Sequence, residues 1–149
     1  MHSKYWFQSD LFKIQAGEDE ETNPACYRKD LGNWLCLKLK DLGYKVEELI
    51  AEDWGWCVMC KSDTYLLWVG CGSMLTETSF ENFNPAIPPD NSKIVWHVFT
   101  EVEVPFFFFK SNFLRLLGKL DTSTAYEKLN RDLKQILEQE PGIRFCEEP

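Results

Sequence analysis

Hydrophobic positions along the chain recur with two periods, and the alternation between them sets out the elements. Lys4 to Ile14 is rich in aromatic and β-favouring residues and predicts a first strand. After an acidic stretch, Gly17 to Glu21, the spacing lengthens, so that Tyr27, Leu31, Trp34, Leu35 and Leu42 recur as on one helix face. Asn23 can cap that helix, Pro24 suits its first position, and Leu42-Gly43 supplies a stop.

Three segments of strand character follow, at Tyr44 to Ala51, Trp54 to Lys61 and Tyr65 to Gly72. Ser62-Asp63-Thr64 joins the last two as a tight hairpin. Ser73 to Ser92, with its prolines and asparagines, reads as a long loop, and Gly70-Cys71-Gly72-Ser73 as the end of a strand. Lys93 to Val104 is a further strand with Ile94, Trp96, Val98 and Val102 on one face, broken by Pro105.

Asn112 to Leu120 predicts a short helix. Asp121 or Thr122 starts a longer one whose core face is Tyr126, Leu129, Leu133, Ile136 and Leu137. Pro141-Gly142 ends it, and Ile143 to Cys146 forms a last edge strand. The order β-α-β-β-β-β-α-α-β predicts an α+β fold, a mainly antiparallel sheet with two principal helices packed on one face. At 149 residues the chain fits one domain, 1–149, because two independent cores of half that size would be marginal.

Charge changes the picture next. The 24 acids against 16 Lys and Arg give a formal charge of −8, which argues against gripping a nucleic-acid backbone. It suits solubility or steering toward a basic partner. Met1 to Phe7 lacks the apolar run and cleavage site of a signal peptide, and Val104 to Phe109 falls far short of the ~20 residues that span a bilayer. The expected location is cytoplasmic, with no membrane partner and the six cysteines reduced.

The candidate chemistry is sparse. Cys57-Val58-Met59-Cys60 spells a CxxC, but inside a strand the two thiols face opposite sides and stand ~10 Å apart, too far for a disulfide. Adding Cys71 and His97 makes no standard zinc spacing, so neither metal nor cofactor is expected. His97 shares a face with Val95 and Phe99 and reads as a semi-buried ring rather than a base. Adjacent acids such as Glu47-Glu48 and Glu52-Asp53 diverge on a strand, so only Glu101 and Glu103, two residues apart, share a face, best read as solvated. No Gly-x-Ser-x-Gly elbow or phosphate loop is present, so no catalytic residue is assigned.

Aromatic residues, at 15% with six tryptophans, exceed what so small a core needs. Glu52-Asp53-Trp54-Gly55-Trp56 places two acids and two indoles at a strand entrance. The run Phe106-Phe107-Phe108-Phe109 cannot be buried on one face of a single element. It reads first as irregular chain crossing the core, and second as an apolar surface patch.

Several of these stretches together carry a resemblance: Glu21-Thr22-Asn23-Pro24 opening a helix with Tyr27, Leu31 and Trp34-Leu35, then Leu42 to Glu48, then Glu52 to Trp56. Leu116 to Thr122 and Pro141-Gly142-Ile143 complete it. On these residues the chain resembles a family of small, acidic, uncharacterised bacterial proteins. The resemblance covers most of the chain, is most specific at Glu52 to Trp56, and implies the fold but no activity.

Two functional readings follow. The first is a non-enzymatic binding protein, of immunity or regulatory type, that covers a basic protein partner with Glu52, Asp53, Trp54 and Trp56, and with Phe106, Phe107, Phe108 and Phe109 as a second patch. The alternative is a small-molecule binder or modest enzyme. Its pocket between sheet and helices would be walled by Trp54, Trp56, Trp68 and Trp96, with His97 or Glu101 as the polar group. Self-association through the Phe run is a third reading.

Overall fold

The computed structural model describes residues 3–14, 29–76, 84, 87 and 89–149. In chain order the elements are β1 (Lys4–Ser9), α1 (Lys29–Asp41), β2 (Leu49–Glu52), β3 (Gly55–Lys61), β4 (Leu66–Leu75) and β5 (Ile94–Glu103). Then come α2 (Phe109–Leu116), α3 (Ser123–Glu138) and β6 (Ile143–Phe145), and a 3-10 turn, Asn91–Lys93, leads into β5. The expected α+β class and element order hold. The acidic stretch, the Asn23-Pro24 helix start, His2, Cys26, Tyr27 and most of the proline-rich loop lie outside the described residues.

All strands pair antiparallel in one sheet of order β2-β3-β4-β5-β1-β6. The first strand therefore lies between β5 and the last one, with Trp6 opposite His97 and Gln8 opposite Arg144. The Ser62-Asp63-Thr64 hairpin joins β3 to β4 as expected. The sheet is closed at its ends by a four-residue and a three-residue strand, lengths that limit edge-to-edge pairing.

Alternation along the strands sorts side chains to two faces. One face carries Phe7, Trp56, Val58, Val69, Cys71, Ile94, Trp96 and Val98. Against it pack Leu31, Leu35 and Leu39 of α1 and Leu129, Leu133 and Leu137 of α3, all fully buried. The core face read for the final helix is thus the observed one, apart from Tyr126, which is half-buried.

Helix ends follow local chemistry. At the end of α1 the Gly43 N–H donates to Lys40 O (2.9 Å) and the Tyr44 N–H to Leu39 O (3.1 Å). This paired closure needs a left-handed residue, and Gly43 supplies it at φ +92°. The end of α2 repeats the motif around Gly118 at φ +68°, with Gly118 N bonded to Arg115 O and Lys119 N to Leu114 O. At the start of α3, Asp121 rather than Thr122 does the capping: its Oδ1 accepts from the N–H groups of Ser123 (3.0 Å) and Thr124 (3.4 Å).

Four boundaries differ from the expectation. The second strand is Leu49–Glu52, not Tyr44 to Ala51, because Tyr44 is held at the end of α1 by its N–H bond to Leu39 O and its hydroxyl bond to Asp132, and pairing with β3 starts only at Leu49 opposite Val58. The first strand stops at Ser9, not Ile14, because the Ser9 hydroxyl accepts from Leu11 N (3.2 Å) and donates to Gly142 O (2.8 Å), turning the chain away. Strand β4 runs on to Leu75, so the two glycines lie within it rather than at its end. Helix α2 begins at Phe109 rather than Asn112, because Asn112 turns its amide back toward the preceding carbonyls. Among the described residues no helix is long and apolar enough to cross a membrane.

The Asp121 cap gives a prediction with a definite sign in pH. Its carboxyl is held by the hydrogen bonds from Thr124 and Ser123 at about 2, below the ordinary 3.8. A depressed folded-state value means that the cap stabilises fully above the ordinary carboxylate range and is lost as pH falls through about 2. Asp121→Ala lowers Tm at neutral pH, Asp121→Asn lowers it less, and both differences shrink toward zero in acid, as thermal melts followed by circular dichroism would record.

Candidate functional site

The face of the sheet opposite α1 and α3 collects the aromatic residues that the core does not take. Along β5 it carries Val95, His97, Phe99, Glu101 and Glu103, while β1 contributes Lys4 and Trp6 and β4 contributes Trp68, Gly70 and Gly72. Rings run across it in sequence. Trp6 sits 4.4 Å from His97, His97 stacks 6.1 Å from Phe99, and Phe99 meets Trp68 edge-on at 5.7 Å. Trp54, from the β2–β3 turn, closes the row by stacking on Trp68 at 5.6 Å and 26°.

Two glycines make this row fit. A Cβ at Gly70 would meet the Phe99 ring at 2.4 Å, and one at Gly72 would meet the His97 ring at 2.0 Å. The rings of β5 therefore lie down across the glycine backbone of β4, in the manner of aromatic residues covering bare strand glycines. Gly70-Cys71-Gly72 is the signal that a sequence reading passes over: glycines alternating inside a strand require large neighbours on that face.

Acids border the rings. The Trp68 Nε1–H donates to Glu103 Oε2 (3.3 Å), and Glu52 and Asp53 flank Trp54, which is 38% exposed. Lys4 Nζ already lies 5.5 Å above Phe99 and 6.0 Å above Trp6, an internal instance of the cation recognition such a surface allows.

This arrangement divides the candidate residues. Glu52, Asp53 and Trp54 come together with Trp68, Phe99 and Glu103. Trp56 does not join them: it is 3% exposed and points into the core, as does fully buried Trp96. Trp54 and Trp56 are two apart, yet Trp54 belongs to the turn and only Trp56 to the strand. The four tryptophans therefore occupy opposite sides of the sheet and cannot wall one cavity, which corrects the pocket expected between sheet and helices. Glu101 and His97 lie on the second face, outside any such pocket.

The Phe run departs from its first reading as well. It does not cross the core: Phe106, Phe107 and Phe109 are 83%, 57% and 77% exposed, and only Phe108 is half-buried. It forms a surface patch separate from Trp54.

A cleft of about 550 Å³ lies elsewhere, lined by Tyr44, Lys61, Asp63, Tyr65 and Lys128 among others. At its wall the Tyr44 hydroxyl donates to Asp132 Oδ2, and Lys128 Nζ bonds both Asp132 (2.7 Å) and the Tyr44 oxygen (3.1 Å). Burial, reinforced by the hydrogen bond to Asp132, pushes the Tyr44 hydroxyl up to about 12. Burial opposes ionisation of Asp132, but the bonds from Lys128 and Tyr44 outweigh it and hold that carboxyl low. The triad is thus a phenol held protonated between a carboxylate and an ammonium, a strut between α3 and the end of α1. Lys128 and Asp132 form a local i,i+4 pair on α3, whereas Tyr44 is far from both in sequence and no local pattern marks it.

The buried thiols of β3 are also held protonated. Burial pushes Cys57 up to about 12, helped by the charges of Glu52 and Glu103, and burial does the same to Cys60. A nucleophilic or metal-binding cysteine needs the opposite shift. Cys36, Cys57, Cys60, Cys71 and Cys146 are all free thiols, and among the described residues no three His, Cys, Asp or Glu side chains gather as a metal site. No family model, curated protein or solved structure matches the chain, so the resemblance drawn from Glu52 to Trp56 and its companion stretches rests on those residues alone.

Two outcomes are expected. When the folded protein is alkylated and the modified peptides are identified by mass spectrometry, Cys146, the exposed one of these five thiols, reacts first. Cys57 and Cys60 react only on unfolding. Separately, Gly70→Ala destabilises the fold by about 1–3 kcal/mol by displacing the Phe99 ring. In a double-mutant cycle with Phe99→Ala the cost is partly relieved, whereas simple additivity in denaturant melts would show that ring and glycine are not coupled.

Proposed function

We propose that the chain is a non-enzymatic cytoplasmic binding protein, of immunity or regulatory type, that docks a basic protein on the acid-bordered aromatic face around Trp54. The observation that carries this reading is the Trp54–Trp68 stack with its half-exposed outer indole, edged by Glu52, Asp53 and Glu103. A rigid aromatic anchor loses little side-chain freedom on binding, and rings of this kind commonly dominate interface energetics. An Arg or Lys of the partner would lie over Trp54 as Lys4 lies over Phe99, with the acids steering its approach. The held-protonated thiols and the strut-like tyrosine add support for binding without catalysis.

The test is capture from native lysate at low and high salt, identification of any stoichiometric basic chain, and titration of the purified pair. Trp54→Ala costs about 2 kcal/mol, roughly thirtyfold in Kd. Asp53→Lys slows association and flattens its salt dependence. Unchanged affinity in both variants would remove this face from the interface and the reading with it.

A further inference from the structure

The Phe run continues into a second exposed surface that the Trp54 face does not explain. Pro105 to Phe108 forms a turn closed by Phe108 N bonding Pro105 O at 3.0 Å, with Phe106 and Phe107 at its tip. Helix α2 follows directly. At about 100° per residue, Phe109, Phe113 and Leu116 fall on one ridge, and they are 77%, 61% and 84% exposed. The buried Ser111 and half-buried Leu114 mark the opposite, inward side. Lys110 lies roughly 90° to one side of the ridge and Arg115 roughly 130° to the other. Lys119 follows at the helix end.

Charge here is the reverse of the whole. Between Glu103 and Asp121 the chain holds Lys110, Arg115 and Lys119 and no acid, within a molecule of net charge −8. From the neighbouring hairpin Asp63 lines a cleft with Phe109 and Lys110 and is paired with Lys61 at 2.8 Å, and Glu103 at the end of β5 accepts from Trp68.

The turn is also built to leave water. The Asn112 amide donates to Pro105 O (2.8 Å) and Phe108 O (3.0 Å), so carbonyls that would be costly to desolvate are already bonded. The Ser111 hydroxyl donates to Thr64 O and fastens α2 to the β3–β4 hairpin. The rings are therefore held outward by their own backbone rather than left there by a loose loop.

We infer that this lip docks on an anionic lipid surface, with Phe106, Phe107, Phe109, Phe113 and Leu116 entering the headgroup boundary and Lys110, Arg115 and Lys119 meeting lipid phosphates. A ridge of aromatic and aliphatic side chains flanked by cations is the pattern of a helix lying in the membrane interface. Charge favours lipid over a second copy of the chain. A second copy meeting the same surface about a two-fold axis would set these cations against their own kind. The acidic balance that weighs against lipid is a property of the whole chain, and the lip carries the opposite sign.

The experiment is cosedimentation of the full chain with vesicles of phosphatidylcholine containing about one-third phosphatidylserine, against pure phosphatidylcholine. The chain pellets with the mixed vesicles and much less with the neutral ones, although its net charge alone would repel it. Phe106→Ser with Phe109→Ser abolishes pelleting, and Lys110→Gln and Arg115→Gln each weaken it by about fivefold. Trp54→Ala leaves it unchanged, which separates this surface from the partner-binding face. All of these are exposed positions, and circular dichroism verifies that each variant is folded. Absence of pelleting with mixed vesicles overturns the inference. So does pelleting that survives the double Phe substitution. A lipid-free dimer or protein complex that those substitutions dissolve, with no vesicle binding, overturns it in favour of a protein occupant.

Discussion

The pleat of the β4–β5 pair is the constraint from which the rest follows. Ten residues of each strand run side by side in unbroken antiparallel register, from Leu66 opposite Glu103 to Leu75 opposite Ile94. That register sends Ile94, Trp96, Val98 and Thr100 to the helices and Val95, His97, Phe99 and Glu101 to the other side. A slip of one residue would exchange the two sets, placing charged Glu101 in the core and Trp96 outside it, so register and core composition enforce each other. Helices α1 and α3 are secured by this arrangement, since their leucine stripes have no other large apolar surface to cover.

The second face shows what such a sheet does with aromatic residues that its core cannot hold. Glycine on β4 lets the rings of β5 lie flat, and that flattening brings Trp6, His97, Phe99, Trp68 and Trp54 into one continuous row. Packing among the rings removes much of their apolar area from water and holds Trp54 in a fixed orientation. The contacts that build the row also support its exposed end, Trp54.

The molecule separates its surface chemistry by sign. Acids gather beside the ring row, while the lip after β5 is apolar and cationic. The buried thiols Cys57 and Cys60 and the Tyr44–Asp132–Lys128 strut carry shifted protonation equilibria. Both thiols are raised by burial, and the phenol is pinned by its partners. At neutral pH these shifts all hold the thiols and the phenol in their protonated forms.

Much of this was decided by the chain itself. Periods of two and of three to four residues, Gly43 as a left-handed stop, Asp121 as a cap and the Ser62-Asp63-Thr64 hairpin are local matters, governed by steric limits and hydrogen bonds within a few residues. They specify the order of elements, and strand alternation alone tells that Cys57 and Cys60 diverge. What tertiary structure decided is everything that depends on partners distant along the chain. Trp56 enters the core and Trp54 does not because the turn at Asp53-Trp54 breaks the alternation. The Phe run emerges at the surface because Asn112 and Ser111 bind carbonyls before it and on another hairpin. Tyr44 meets Asp132 and Lys128 only once α3 is docked. Local chemistry chooses the element, whereas exposure and contact are set by pairing across the sheet, which no short stretch of sequence contains.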